Sequence, residues 1–194
     1  MNVATNVEQP SLAKRLKAAS AAVHDEVDHA VMAARPFASR EAYERFLRFQ
    51  YRLHRRVEPL YADPALQPVL PDLAERSRLE ALEQDFADLG LTPPSDAAFG
   101  PALPREQALG WLYVVEGSNM GAAFLAKEAV KIGLSNDFGA RHLAGHAEGR
   151  GLHWRKFTAA LDAVELSPEQ DAAAQAAAAD AFAHVLVLVR QELN

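Results

Sequence analysis

The sequence predicts an all-α, single-domain bundle of about seven or eight helices. Apolar residues recur three or four positions apart through almost the whole chain, and the strict alternation of a half-buried strand is hard to find. A length of 194 residues suits one large domain. No stretch repeats another, so nothing suggests a solenoid.

Pro10-Ser11 opens a first helix in which Leu12, Leu16, Ala19, Val23 and Val27 form one face. It runs to about Ala34, where Arg35-Pro36 stops it. Ser39 is the expected N-cap of a second helix, Arg40 to about Glu58, ending near Pro59, with Tyr43, Phe46, Phe49, Leu53 and Val57 facing inward. Asp72, with Glu75 three residues on, reads as a capping pair for a helix closing at Gly90. Leu91 to Pro104 is the one long loop, punctuated by Pro93, Pro94, Gly100, Pro101 and Pro104. A long helical segment follows from Arg105 to Ile132, with Gly110, Gly117 and Gly121 inside it. Ser135 to Gly151, rich in Gly and His, reads as a short helix between turns, and His153 to about Leu166 as another helix. Ser167-Pro168-Glu169-Gln170 announces the last helix, an N-cap with proline at the first helical position and a box-closing Gln, running to about Glu192. Residues 1–10 are polar and acidic and read as a disordered tail; residues 11–194 form the domain.

Composition narrows the chemistry. A hydrophobic share of 49% with 24% charged residues belongs to a folded globule. The formal charge of −6 offers a polyphosphate no nonspecific attraction, so nucleic acid is not an expected partner. The absence of cysteine removes disulfides, Cys-zinc sites, iron–sulfur clusters and thiol nucleophiles, and fits a reducing cytoplasm. No export signal opens the chain, and no uncharged apolar run approaches the roughly 20 residues of a membrane helix. A cytoplasmic protein without a membrane partner is the expectation. Phosphate-binding glycine loops and the Gly-x-Ser-x-Gly nucleophile turn do not occur.

Three local patterns could carry function. The first is Trp111-Leu-Tyr-Val-Val-Glu-Gly-Ser-Asn-Met-Gly-Ala-Ala-Phe-Leu125. A glycine inside a helix costs about 1 kcal/mol, so Gly117 and Gly121, one turn apart on one face, need a reason. Either two helices pack closely there, or a flat ligand lies against bare backbone where a Cβ would collide. Ser118 and Asn119 between them add polar groups and invite a kink. The second pattern is His24 on the first helix, with Lys17 two turns earlier on the same face and Asp28 one turn later. An imidazole and a cation so placed suit a metal centre and an anionic edge of one large ligand, and Asp28 could hold the second ring nitrogen. The third is Gln50 and His54, one turn apart, which either reach the surface or organise a buried water network. Glu26 and His29 have the Glu-x-x-His spacing of di-iron bundles but no second copy, and His142 and His146, flanked by glycines, make a poor zinc site.

Taken together, His24 and Glu116-Gly-Ser-Asn-Met-Gly-Ala-Ala-Phe-Leu125 resemble a bacterial heme oxygenase of the kind Gram-negative bacteria use to extract iron from heme. Pro36-Phe-Ala-Ser-Arg40, Glu58-Pro-Leu-Tyr61, Leu109-Gly-Trp-Leu-Tyr113 and Phe138-Gly-Ala-Arg-His-Leu143 extend the resemblance from about Leu12 to about Leu188. It implies a heme oxygenase-like bundle with a kinked glycine-rich distal helix. It also implies that heme b is both cofactor and substrate, cleaved with O2 and external electrons to biliverdin, CO and Fe2+. By the same resemblance His24 is the axial ligand of the heme iron, and Gly117, Ser118, Asn119 and Gly121 form the distal wall. Lys17 and Tyr113 hold the propionates, Gln50 and His54 organise distal waters, and Phe182 either packs on the heme edge or is plain core. Some relatives lack the cation and the tyrosine at the positions of Lys17 and Tyr113 and open other meso positions; retention of both, with Glu128 where some of those relatives carry lysine, implies the IX-alpha isomer. The implied electron donor is a ferredoxin- or flavodoxin-type system, met by the positive charge of Lys14, Arg15, Lys17, Arg52, Arg55 and Arg56, and nothing demands more than a monomer. A carrier or sensor that holds heme without degrading it is the competing expectation, and the intact glycine turn argues against it.

Overall fold

The structure, a computed structural model, describes residues 9–193, so the expected tail over 1–10 lies almost wholly outside the described residues. Among these residues six α-helices and two 3-10 turns follow one another: α1 (Leu12–Ala33), α2 (Arg40–Tyr61), a turn at Leu73–Arg76, α3 (Leu79–Asp88), α4 (Arg105–Lys131), a turn at Arg141–Leu143, α5 (Arg150–Asp162) and α6 (Pro168–Glu192). Among the described residues no strand forms; Ser135 makes only isolated bridges to Phe138 and Gly139.

Helix α6 is the spine, packed most extensively on α4 and α1. Its alanines explain the closeness: Ala174, Ala177, Ala178 and Ala181 are buried, so the backbone of α4 can come down on them. Gly110 is where it does, because a Cβ there would lie 2.3 Å from the Ala174 carbonyl oxygen. By length and composition alone α6 could cross a membrane, yet Val185, Leu186, Leu188 and Val189 are buried in the bundle. The Ser167 capping box forms as expected, with Ser167 Oγ accepting from the Gln170 N–H and the Gln170 side chain accepting from the Ser167 N–H.

Among the described residues six α-helices stand where seven or eight are expected, and three expectations about individual elements change. Helix α2 runs through Pro59 to Tyr61 instead of ending there, because Leu60 and Tyr61 are buried and reward one further half-turn. Asp72 does not cap the next helix; its carboxylate takes Arg76 Nη2 at 2.6 Å, and a 3-10 turn forms. Ser77 then breaks the chain by donating to Glu58 and accepting the Leu79 N–H, so α3 begins only at Leu79. Between Ser135 and Gly151 only a 3-10 turn forms. The backbone N–H groups of Arg141 and His142 are drawn to Asp85 and that of Gly139 to Asp88, which takes them away from any helix ladder. At the start of α1, where Ser11 makes no side-chain cap, Asp162 at the end of α5 accepts the Ala13 N–H at 2.8 Å.

Candidate functional site

Helix α4 is unbroken from Arg105 to Lys131, but its surroundings change at Glu116. Up to that point Ala108, Leu109, Gly110, Trp111, Leu112, Val114, Val115 and Glu116 are buried. Beyond it, Met120 is 43% and Phe124 50% exposed. With 100° of rotation per residue, Met120, Phe124, Gly117 and Gly121 share one face about 100° wide. A Cβ added at Gly121 would meet no protein atom within 4 Å, and one at Gly117 would make only ordinary contact, 3.5 Å, with the Trp154 ring. Close packing of helices, one of the two explanations open for this pair, therefore does not apply. No neighbouring element would collide with a side chain at either position, and the bare backbone at Gly121 opens outward. Ser118 Oγ donates to the Val115 carbonyl at 2.7 Å, a back-bond of the kind that bends helices.

The base of this segment is anchored. Glu116 is 2% exposed, accepts from Tyr61 Oη at 2.8 Å and from Arg76 Nη1 at 3.0 Å, and Arg76 is itself held by Asp72. Burial raises the Glu116 carboxyl against the pull of Tyr61 and Arg76. Tyr113, half-buried, packs on Trp154 with ring centroids 5.6 Å apart, and burial raises its hydroxyl.

On α1, His24 is exposed, with 49% of its side chain accessible, and its ring stands edge-on to Phe182 of α6 at 5.1 Å between centroids. Phe182 thus touches the imidazole itself. Nδ1 lies 3.7 Å from both Asp25 and Asp28, beyond hydrogen-bond distance. Both carboxylates stand on the Nδ1 side, which leaves Nε2 as the nitrogen suited to a ligand. Lys17 is exposed on the same helix. Of the basic residues near it in sequence or on α2, Arg15 is paired with Asp171, Arg52 with Asp96 and Glu192, Arg55 lies over Phe99 and Arg56 over Trp111.

Gln50 is half-buried, but His54 is only 3% exposed, so the surface alternative for this pair fails at His54. Burial pushes the His54 imidazole down to about 3, with Arg78 and His142 adding to the shift. Beside it the structure brings in His142, which the sequence offered only as half of a poor zinc pair with His146. His142 is 3% exposed, and its Nδ1 lies 2.7 Å from Asp85, which is fully buried; burial nonetheless lowers the His142 pKa. Nδ1 of His54 and Nε2 of His142 are buried with no hydrogen-bond partner. Two unmet nitrogens in one region are the signature of a wet polar network rather than a dry core. The sequence signals for His142 were its place in the block Phe138-Gly-Ala-Arg-His-Leu143 and its spacing to His146, neither of which points to its carboxylate partner on another helix.

The remaining histidines form no metal centre. His146 stacks on His153 at 4.2 Å instead of pairing with His142, and among the described residues no three His, Asp or Glu side chains cluster to hold an ion. A cavity of about 380 Å³ lies between α2, the first turns of α4 and α6, lined by Arg56, Trp111, Asp180 and His184 among others, and involves neither His24 nor Gly121. Helix α1 presents an exposed imidazole nitrogen, and α4 an exposed stretch of bare backbone at Gly121 flanked by Met120 and Phe124, a combination that suits a metal macrocycle better than a small ion.

The heme oxygenase family model matches residues 10–191. The chain is 44% identical over 161 residues to heme oxygenase PigA of Pseudomonas aeruginosa, covering 82% of this chain and 81% of the relative. It is 34% identical over 147 residues to a heme oxygenase of Xanthomonas campestris pv. campestris, covering 74% and 86% of the two chains. Its fold matches the NO- and CO-bound heme oxygenase of Neisseria meningitidis with a TM-score of 0.91 at 44% identity, over 95% of this chain and 93% of that one. This chain belongs to the heme oxygenase family, enzymes that bind heme and cleave it.

Proposed function

We propose that His24 is the axial ligand of the heme iron, that the Gly117–Gly121 face of α4 is the opposite wall, and that the product is the IX-alpha isomer of biliverdin. The observation that carries this reading is Gly121: a helical glycine that no protein contact demands, with open space where its side chain would be. The cost of such a residue is recovered when a ring lies against it. Heme, when bound, supplies both the iron that takes O2 and the porphyrin that is opened.

The protein's own groups then have distinct tasks. Phe182 limits rotation of the His24 ring, while Asp25 and Asp28 favour a proton on Nδ1 and leave the Nε2 lone pair free for iron. Lys17 and the Tyr113 hydroxyl hold the propionates, which fixes the in-plane orientation of the ring and hence which meso edge is cleaved. Ser118 and Asn119 lie in the wall between the two glycines and carry no acidic hydrogen, so protons reach the oxygen side through water. His54 stays neutral at working pH and can hold such water at Nδ1, with Gln50 one turn away and His142 contributing Nε2. Electrons come from a ferredoxin- or flavodoxin-type donor. We further take the enzyme to act as a monomer in the cytoplasm.

The test is turnover of the heme complex with ascorbate or a reductase in air, followed by isomer analysis. The parent should bleach its Soret band into biliverdin absorbance, with one isomer dominant. His24→Ala should lose turnover and regain it with added imidazole. Gly121→Asp should lose most biliverdin in favour of peroxidase-type turnover. Unchanged turnover in both variants overturns the reading.

A further inference from the structure

Arg150, at the start of α5, has no carboxylate partner among the described residues. It stands with two other guanidinium groups, those of Arg76 and Arg78, around a small niche that also includes Glu116, Asn119, His146, His153 and Trp154. Glu116 is engaged by Tyr61 and Arg76, and Asp72 by Arg76, so neither neutralises Arg150. Its charge is spent on backbone instead. Nη1 donates to the Asn119 carbonyl at 3.0 Å, and Nη2 donates to the Leu143 carbonyl. Burial lowers its pKa, so the position is held against desolvation rather than for convenience.

The two carbonyls are informative. Asn119 is the middle residue of the segment bounded by Gly117 and Gly121, where the backbone is least stiff. Asn119 lies inside α4, and Arg150 reaches its carbonyl oxygen from α5, while the other lone pair of that oxygen faces the helix ladder. A carbonyl tilted off the helix axis bends the helix at that point. Leu143 ends the 3-10 turn that carries His142, one of the two buried histidines with an unmet nitrogen. One guanidinium therefore joins the glycine wall to the turn that carries part of the buried polar network. Trp154, one turn later on α5, lies beside Gly117 and gives the clamp a second point of contact.

We propose that Arg150 is a positioning residue that sets the height of the glycine wall over the bound ring, and thereby which edge of the ring is cleaved. The proposal rests on the distal assignment of Gly117–Gly121 but has a readout of its own. In the heme-free protein, hydrogen exchange across residues 117–123 should quicken at least about tenfold in Arg150→Met and less in Arg150→Lys, while exchange across residues 43–57 of α2 stays within about twofold. In the heme complex, Arg150→Met should keep heme affinity within about threefold yet turn a single biliverdin isomer into a mixture, with Arg150→Lys partly restoring the parent ratio. Exchange that is unchanged at 117–123, or that rises equally along the whole chain, overturns the proposal. So does an isomer ratio unchanged in Arg150→Met. If the parent itself makes no biliverdin, the distal assignment fails, and the exchange result still decides whether Arg150 restrains that backbone. Should Arg150→Met not fold, Arg150→Lys carries the same two measurements.

Discussion

Gly110 and Gly121 sit on the same helix, and a methyl group would meet opposite fates at them. At Gly110 it would run into the backbone of α6, 2.3 Å from a carbonyl oxygen; at Gly121 it would meet nothing. The first half of α4 is a packing surface, clamped on alanines and ending in the buried Glu116–Arg76 pair. The second half keeps an apolar face without a protein partner. The contrast teaches that a helical glycine signals close approach, and that only the neighbourhood says whether the approaching body is the protein or its ligand.

The comparison can be broken hardest at the junction of the two halves. Glu116→Ala removes the acceptor of Tyr61 Oη and the buried carboxylate that pairs with Arg76 Nη1, leaving Arg76 to Asp72 and the His153 carbonyl, and should lower unfolding stability by about 4 kcal/mol in a denaturant titration. A loss under about 1 kcal/mol would mean that the junction is not an anchor. Gly110→Ala comes next. It should cost about 3 kcal/mol, since backbone rather than a movable side chain stands in the way.

Titration of the buried histidine sharpens the comparison from the side of the polar network. The His54 pKa in the folded protein is about 3, below its ordinary 6.5, so between those values the unfolded chain binds the extra proton. Stability is therefore fully present above about pH 7 and falls as pH drops from about 6.5 toward 3, by up to about 1.4 kcal/mol per pH unit for this group. His54→Leu should flatten that slope, measured as denaturation midpoints across pH 4 to about 7; an unaltered slope would show that His54 is not the titrating group. The smallest effect on stability belongs to Gly121→Ala, which should leave the fold as stable as the parent or better by up to about 1 kcal/mol. Yet it should weaken heme binding or turnover at least about tenfold. Equal destabilisation by Gly110→Ala and Gly121→Ala would erase the distinction between the halves.

The sequence was legible where physics is local. Apolar periodicity placed the long helices because a stripe every three or four residues can be buried only by a helix, and the Ser167 box needed no distant partner. The segments that misread were those whose backbone is claimed from afar: Asp85 and Asp88 take N–H groups from the 139–142 turn, and Arg76 takes the carboxylate of Asp72 that would have capped a helix. For the candidate site, the glycine segment and His24 were visible because residue type and spacing carried them. The surroundings of His142 were not, since they depend on a carboxylate on α3 and on a second histidine on α2.

By itself, then, the amino-acid order determined the helical class, the family resemblance and the presence of two costly glycines on one helical face, all of which follow from near neighbours along the chain. Tertiary structure alone decided that Gly110 is filled by α6 while Gly121 is left open, that His54 is buried and neutral, and that Arg150 spends its charge on backbone carbonyls. The physical reason is that burial and unmet hydrogen bonds belong to the space between elements, and no single segment contains that space.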